Sequence, residues 1–258
     1  MAGHSKWANI RHKKEGADKR RGIMFTKLSR ELMVSARLGG SDPEMNPRLR
    51  IAISKARGAN MPNDNIERAI KKGAGELEGQ TFEEVVYEIY APGGVGLIVE
   101  ALTDKKSRTT PEIKSMVNKH GANLAEANAV SRLFESRGQI IIPREQEEAG
   151  KLEEDQVMEV AIEAGAEDMK TDDDSFEVLT TPDNYAQVSE AISNAGWQTS
   201  ESGVRYLPME GTEIQVDAEK ARNIFDFLEK LEEHDDVQSV YHNMHLSDEL
   251  YSEMEKMG

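Results

Sequence analysis

The sequence predicts an α+β protein: an N-terminal three-helix module followed by two α/β domains, the third a ferredoxin-like βαββαβ unit inserted into the second. Three observations carry this. Apolar residues recur at spacings of three and four as far as Ile70, the period of helices packed on one face. From Thr81 onward, short apolar runs are separated by Gly and Pro, as in strands and turns. Residues 132–207 then hold strand, helix and hairpin signals in a self-contained order, and the helix and strand that follow have no neighbour in sequence.

Phe25, Leu28, Leu32 and Ala36 line the first helix, which Gly39-Gly40 ends. Asn46-Pro47 reads as an N-cap followed by a first-turn proline, and Leu49, Ile53 and Ala56 line the second helix as far as Gly58. Pro62 opens the third, with Ile66, Ala69 and Ile70 on its apolar face and Gly73 as its stop. The glycine-rich stretch 73–79 is a linker, so the first domain is 1–78. Val85, Val86, Tyr87, Ile89 and Tyr90, then Pro92-Gly93-Gly94, then Leu97, Ile98 and Val99 make a hairpin with type II turn chemistry. Residues 111–120 read as a helix burying Ile113, Met116 and Val117.

Within 132–207 a strand runs to Ile142, a helix spans 157–164 and a strand lies near Glu167. A hairpin through Asp172-Asp173-Asp174 leads into 176–179, followed by a helix at 185–192 and a strand ending near Tyr206. A helix at 218–231, apolar at Ile224, Phe227, Leu228 and Leu231, and a strand at 237–246 return to the hairpin domain. That domain is therefore 79–131 plus 208–258, and 132–207 is its insert.

The net charge of −16 hides a split. Residues 1–72 hold 17 Lys and Arg against 7 Asp and Glu; residues 73–258 hold 15 against 41. Such asymmetry joins a nucleic-acid-facing part to an acidic part, for which a protein partner is expected. The absence of cysteine excludes disulfides, thiolate metal sites and cysteine nucleophiles. No apolar run approaches the ~18 residues of a membrane span, and residues 1–14 lack the apolar centre of a secretory signal. A cytoplasmic location without membrane contact is expected.

Candidate ligand contacts concentrate in the basic module. On a helical projection Arg20, Lys27, Arg30 and Arg37 fall within an arc of about 100°, opposite the apolar stripe of the first helix. On the second helix Arg48 and Lys55 share one flank, and Arg50 and Arg57 the other. Lys6, Arg11, Lys13, Lys14 and Lys19 add charge ahead of the first helix. Rows of cations suit regularly spaced phosphates. Trp7 stands amid this charge, placed either to stack on an unpaired base or to pack on the helices. Charged helix faces are usually only solvated, but a solvated face mixes signs, and here cations dominate within an acidic chain.

Other chemistry is weaker. The runs Glu153-Glu154-Asp155, Asp172-Asp173-Asp174 and Glu232-Glu233-His234-Asp235-Asp236 would be the carboxylates of a metal-dependent nuclease. Adjacent carboxylates diverge, however, and solvated turns and helix ends are the expected reading. His242 and His245, three apart on a strand, would face opposite sides. No nucleophile elbow, Walker motif or zinc spacing is present. Neither cofactor, metal nor catalytic residue is expected, and the chain reads as a non-enzyme.

The stretch Ala2-Gly3-His4-Ser5-Lys6-Trp7-Ala8-Asn9-Ile10 resembles the opening signature of the YebC family. So do Phe25-Thr26-Lys27, Ala36-Arg37-Leu38-Gly39-Gly40, Asn46-Pro47-Arg48-Leu49-Arg50, Ala59-Asn60-Met61-Pro62 and Asp64-Asn65-Ile66-Glu67-Arg68-Ala69-Ile70. The resemblance continues through Tyr87, Pro92-Gly93-Gly94 and Leu102-Thr103-Asp104. It implies a helical domain and two α/β domains, one inserted, and carries ligand contact to Lys6, Trp7, Lys27, Arg37, Arg48 and Arg50 by matched motif. Bacterial members are described as probable transcriptional regulators that bind DNA. Mitochondrial relatives are translational activators of cytochrome oxidase, and bacterial members have also been tied to the ribosome, which makes ribosomal RNA or tRNA the alternative ligand. Two positions depart from the pattern: Ile23 stands where many relatives have lysine, and Gly121-Ala122-Asn123-Leu124-Ala125 replaces a run richer in glycine.

Overall fold

The computed structural model describes residues 17–146, 150–247 and 250, with side chains of the first helix described from Arg21. Three helices open it: α1 (Ala17–Gly39), α2 (Pro47–Gly58) and α3 (Asn63–Gly73). Their shared core holds the expected Leu32, Ala36, Leu49, Ile53, Ala56, Ile66 and Ala69, with Phe25, Leu28 and Ile70 packed against it. The α1–α2 corner is built by Asn46. Its Oδ1 accepts from the Leu49 N–H (3.1 Å), and its Nδ2 donates to the Ser35 and Gly40 carbonyls (both 2.8 Å). One side chain thus caps the start of one helix and holds the end of the other. The end of α3 lies directly on α1: a Cβ at Gly73 would sit 2.2 Å from the Met33 carbonyl oxygen, so only glycine permits this approach.

The hairpin follows, with β1 (Glu83–Tyr90) and β2 (Gly96–Thr103) antiparallel in the register Val85↔Ala101, Tyr87↔Val99, Ile89↔Leu97. Gly94 N–H donates to the Ala91 carbonyl (3.1 Å) and Gly93 has φ +86°, which makes the predicted type II turn. Next come α4 (Lys106–Lys119) and β3 (Asn123–Leu124). Helix α4 begins five residues before the predicted start at Pro111. Thr103 Oγ1 accepts from the Lys105 N–H (2.9 Å) and donates to Thr109 Oγ1 (2.7 Å), which anchors the first turn. Pro111 lies inside the helix and removes only one N–H from it.

Residues Phe134–Met209 form a compact unit of their own. It comprises β4 (Phe134–Pro143), the short pair β5 (Glu145–Gln146) and β6 (Gly150–Lys151), α5 (Glu154–Glu163), β7 (Asp168–Thr171), β8 (Ser175–Thr180), α6 (Tyr185–Asn194) and β9 (Glu201–Pro208). The antiparallel sheet has the order β7-β8-β4-β9. With α5 and α6 this is the ferredoxin-like βαββαβ arrangement. Its core includes Ile140, Ile142, Val157, Ala161, Phe176, Val178, Tyr185, Val188 and Ile192.

The chain continues with β10 (Ile214–Gln215), α7 (Ala218–Glu233), β11 (Val237–His242) and β12 (Met244–His245). Strand β11 joins β2, so the sheet order is β11-β2-β1-β3, and α4 and α7 share one core with it. The single strand expected over 237–246 is broken at Asn243. There Oδ1 accepts from the Gly96 N–H (2.7 Å) and Nδ2 donates to the Thr212 carbonyl (2.6 Å). Beyond the break, β12 pairs in parallel with β10. Helices α1–α3 and this sheet belong to the same compact unit. No helix among the described residues is long and apolar enough to cross a membrane.

Candidate nucleic-acid interface

The cation stripe of α1 does not face solvent along its whole length. Lys27 Nζ donates to the Glu232 carbonyl (2.8 Å). Arg30 Nη1 donates to Asp236 Oδ1 (2.7 Å), to the Leu102 carbonyl (3.4 Å) and to the Asp235 carbonyl, while its guanidinium lies 5.3 Å from the Phe82 ring centroid. The Arg30 side chain is 14% exposed and that of Asp236 only 2%. The predicted row of four solvent-facing cations is therefore corrected. The middle of the α1 stripe is a packing face, and the acidic turn between α7 and β11 lies on it. That turn, read from sequence as a solvated helix end, supplies the partners.

Arg48 is also engaged within the fold. Its Nε donates to Glu31 (2.8 Å) and its Nη2 to Glu84 (2.6 Å), linking α2 to α1 and β1. Burial opposes its charge, but the two carboxylates more than restore it, and its pKa rises. Nearby, burial pushes Glu100 above the usual carboxylate range despite the hydrogen bond it accepts from Tyr241.

The cations that do reach solvent are Arg37 at the end of α1 and Arg50, Lys55 and Arg57 on α2. The structure adds Arg21, Arg68, Lys71 and Lys72, which the sequence reading passed over; the last three lie on the α3 face opposite Ile66, Ala69 and Ile70. Their spacing was the signal that could have found them. Lys6, Trp7, Arg11, Lys13 and Lys14 lie outside the described residues; Lys19, expected ahead of the first helix, lies within α1, and for it and Arg20 only the helical backbone is described.

The acidic runs occupy ordinary places. Glu153 precedes the first turn of α5, where Glu154 and Asp155 suit the helix dipole. Asp172 to Asp174 form the β7–β8 turn, closed by Asp172 N–H on the Ser175 carbonyl (2.9 Å). Among the described residues one trio of ligand-type side chains converges: Glu112, His234 and Asp236. Two of its three members, Asp236 and His234, are already engaged within the fold. Asp236 Oδ1 accepts from Arg30, and Oδ2 accepts from Arg108 (2.8 Å) and Thr109 (2.5 Å). His234 Nδ1 accepts from the Asp236 N–H (3.1 Å), so Nε2 bears the proton and donates to Glu112 (3.0 Å). His242 is buried and His245 half-exposed on the far side of the Asn243 break, and among the described residues neither belongs to a converging group of three ligand-type side chains.

Fold and surface define a class: a small cation-rich helical module carried in one chain with acidic α/β domains. Family comparison specifies it. Residues 5–76 match the TACO1/YebC protein N-terminal domain and residues 82–244 the TACO1/YebC second and third domain. The chain belongs to the TACO1/YebC family. It is 52% identical over 259 residues to a "probable transcriptional regulatory protein" of Persephonella marina, covering 100% of both chains. It is 49% identical over 248 residues to one of Carboxydothermus hydrogenoformans, covering 96% of this chain and 100% of the relative. A crystal structure of a conserved hypothetical protein from Aquifex aeolicus superposes with a TM-score of 0.81 at 45% identity, over 93% of this chain and 96% of that one.

Proposed function

We propose that this protein is a non-enzymatic, cytoplasmic regulator of gene expression whose helical module binds DNA. The observation that carries this is the set of exposed cations Arg37, Arg50, Lys55, Arg57, Arg68, Lys71 and Lys72 on the three helices of the module in a chain with net charge −16. The relatives are named probable transcriptional regulatory proteins, which supports a role in transcription. A second reading takes ribosomal RNA or tRNA as the ligand, with a role in translation. It is favoured by the exposed side of α2, which offers Arg50, Ser54, Lys55 and Arg57 but no Asn or Gln to read adenine in a major groove. In either reading the acidic domains are free to engage a protein partner.

The test uses the full chain, because removing the module would strip Asp236 of Arg30. Fluorescence anisotropy with duplex DNA and with a ribosomal RNA hairpin is measured against salt for the parent and for Arg37→Glu/Arg50→Glu/Arg57→Glu. Each lost phosphate contact lowers the salt slope by about 0.9 on duplex DNA. The triple variant is expected to lose roughly two to three units of slope on its true ligand. Unchanged affinity and slope on both ligands would overturn the reading.

A further inference from the structure

A groove of 610 Å³ lies where the end of α1, the end of α3 and residues 73–82 meet. Its volume is within the range of small-molecule pockets, about 300–1,000 Å³. Arg37 and Lys72 stand on its walls, both exposed, in contrast to Lys27, Arg30 and Arg48. Phe82 and Leu77 give it an apolar surface. Leu77 is 45% exposed, and the Phe82 ring is held beneath Arg30, itself fixed by Asp236. Gly73, through its close approach to Met33, holds the end of α3 against α1. The groove is thus a product of the fold, with two cations beside an aromatic and aliphatic wall.

We propose that this groove takes one unpaired nucleotide of the bound nucleic acid. The phosphate lies on Arg37 and Lys72, and the base lies against Phe82 and Leu77. This rests on the nucleic-acid reading above and names the part of the ligand the groove selects. A base-paired duplex presents phosphates but keeps its bases stacked, so it can use the two cations and leaves the apolar wall wet. An unstacked nucleotide uses both, and base-on-aromatic contact is tolerant of sequence. Glu76 is the one carboxylate in the lining. It disfavours a second phosphate, and it can accept from the exocyclic amine of adenine, guanine or cytosine.

The test compares a blunt duplex, the same duplex with a five-nucleotide single-stranded overhang, and a free mononucleotide, all with the full chain. The overhang is expected to tighten binding about tenfold, within the range of base–aromatic stacking. Leu77→Ser, at an exposed position and without a change of charge, is expected to remove most of that gain while blunt-duplex affinity stays within twofold. Arg50→Glu/Arg57→Glu is expected to weaken both duplexes equally and keep the gain. Equal binding of blunt and overhang duplexes by the parent, or a gain that survives Leu77→Ser, overturns the groove assignment and leaves the nucleic-acid reading intact. Tight mononucleotide binding without an overhang gain overturns it in favour of a free nucleotide. No binding to either duplex overturns both proposals.

Discussion

Replacing Arg30 by alanine is expected to act on the fold and not on the ligand. Arg30 pairs with Asp236 Oδ1 at 2.7 Å and also donates to the Leu102 and Asp235 carbonyls. Both charges are largely removed from water, at 14% and 2% side-chain exposure. Breaking one side of a buried ion pair costs about 3–5 kcal/mol, because the remaining charge is stranded. Asp236 keeps Arg108 and Thr109 on its other oxygen, so the loss should fall at the low end, about 3 kcal/mol. Burial works against the Asp236 carboxylate, but Thr109 and the two arginines outweigh it and hold its pKa below the usual value. It therefore stays ionised at neutral pH, and the penalty applies in full. Urea unfolding followed by far-ultraviolet circular dichroism should show the midpoint lowered by roughly 1 M, given a slope of about 2–3 kcal/mol/M. Arg30→Met combined with Asp236→Asn should cost less than the sum of the single changes, by about 1 kcal/mol or more. A loss below about 1 kcal/mol, together with a fall in DNA affinity as large as that of Arg57→Ala, would refute the reasoning and return Arg30 to the ligand.

Two further outcomes follow from the packing. Gly73→Ala places a Cβ 2.2 Å from the Met33 carbonyl oxygen, and forcing α3 away from α1 should cost about 2–3 kcal/mol, read as a lowered unfolding midpoint. His242 is buried and loss of hydration pushes its imidazole down to about 4, so it is neutral in the fold, while the unfolded chain takes up a proton near 6.5. Its contribution is complete above pH 6.5 and lost as the pH falls towards 4, amounting to roughly 3 kcal/mol across that window. Between pH 7 and 4.5 the parent should lose about 2 kcal/mol more than His242→Gln, measured by urea midpoints. Glu100, raised by burial, works in the opposite sense and cancels in the comparison.

Local patterns were the legible part. The stripes of α1, α2 and α3 mark their buried faces because helical period is a property of neighbours in sequence, and the βαββαβ order is legible for the same reason. What stayed hidden depends on residues far apart along the chain. The spacing of Lys27 and Arg30 identifies a face, yet nothing near them in sequence shows that Glu232 and Asp236 occupy it. Pro111 concealed the start of α4, whose first turn is anchored on the distant Asp236 through Thr109 as well as locally by Thr103 on the Lys105 N–H. Asn243 interrupts a strand through bonds to Gly96 and Thr212, and its side chain carries no local mark of that role. Arg68, Lys71 and Lys72 carry a local signal of the same kind, since their spacing sets them on the α3 face opposite Ile66, Ala69 and Ile70.

The insert enters through β4 and leaves through β9, and its terminal residues Phe134 and Pro208 are partners across the same antiparallel ladder. Paired Cα atoms in such a ladder are about 5 Å apart. To the rest of the chain, 76 residues between Phe134 and Met209 thus present the covalent geometry of a short loop. Such a segment can be gained, lost or exchanged at a single point without redrawing the sheet it interrupts. This geometry makes Phe134–Met209 a natural place for members of the family to diversify and a ready position for grafting a reporter domain.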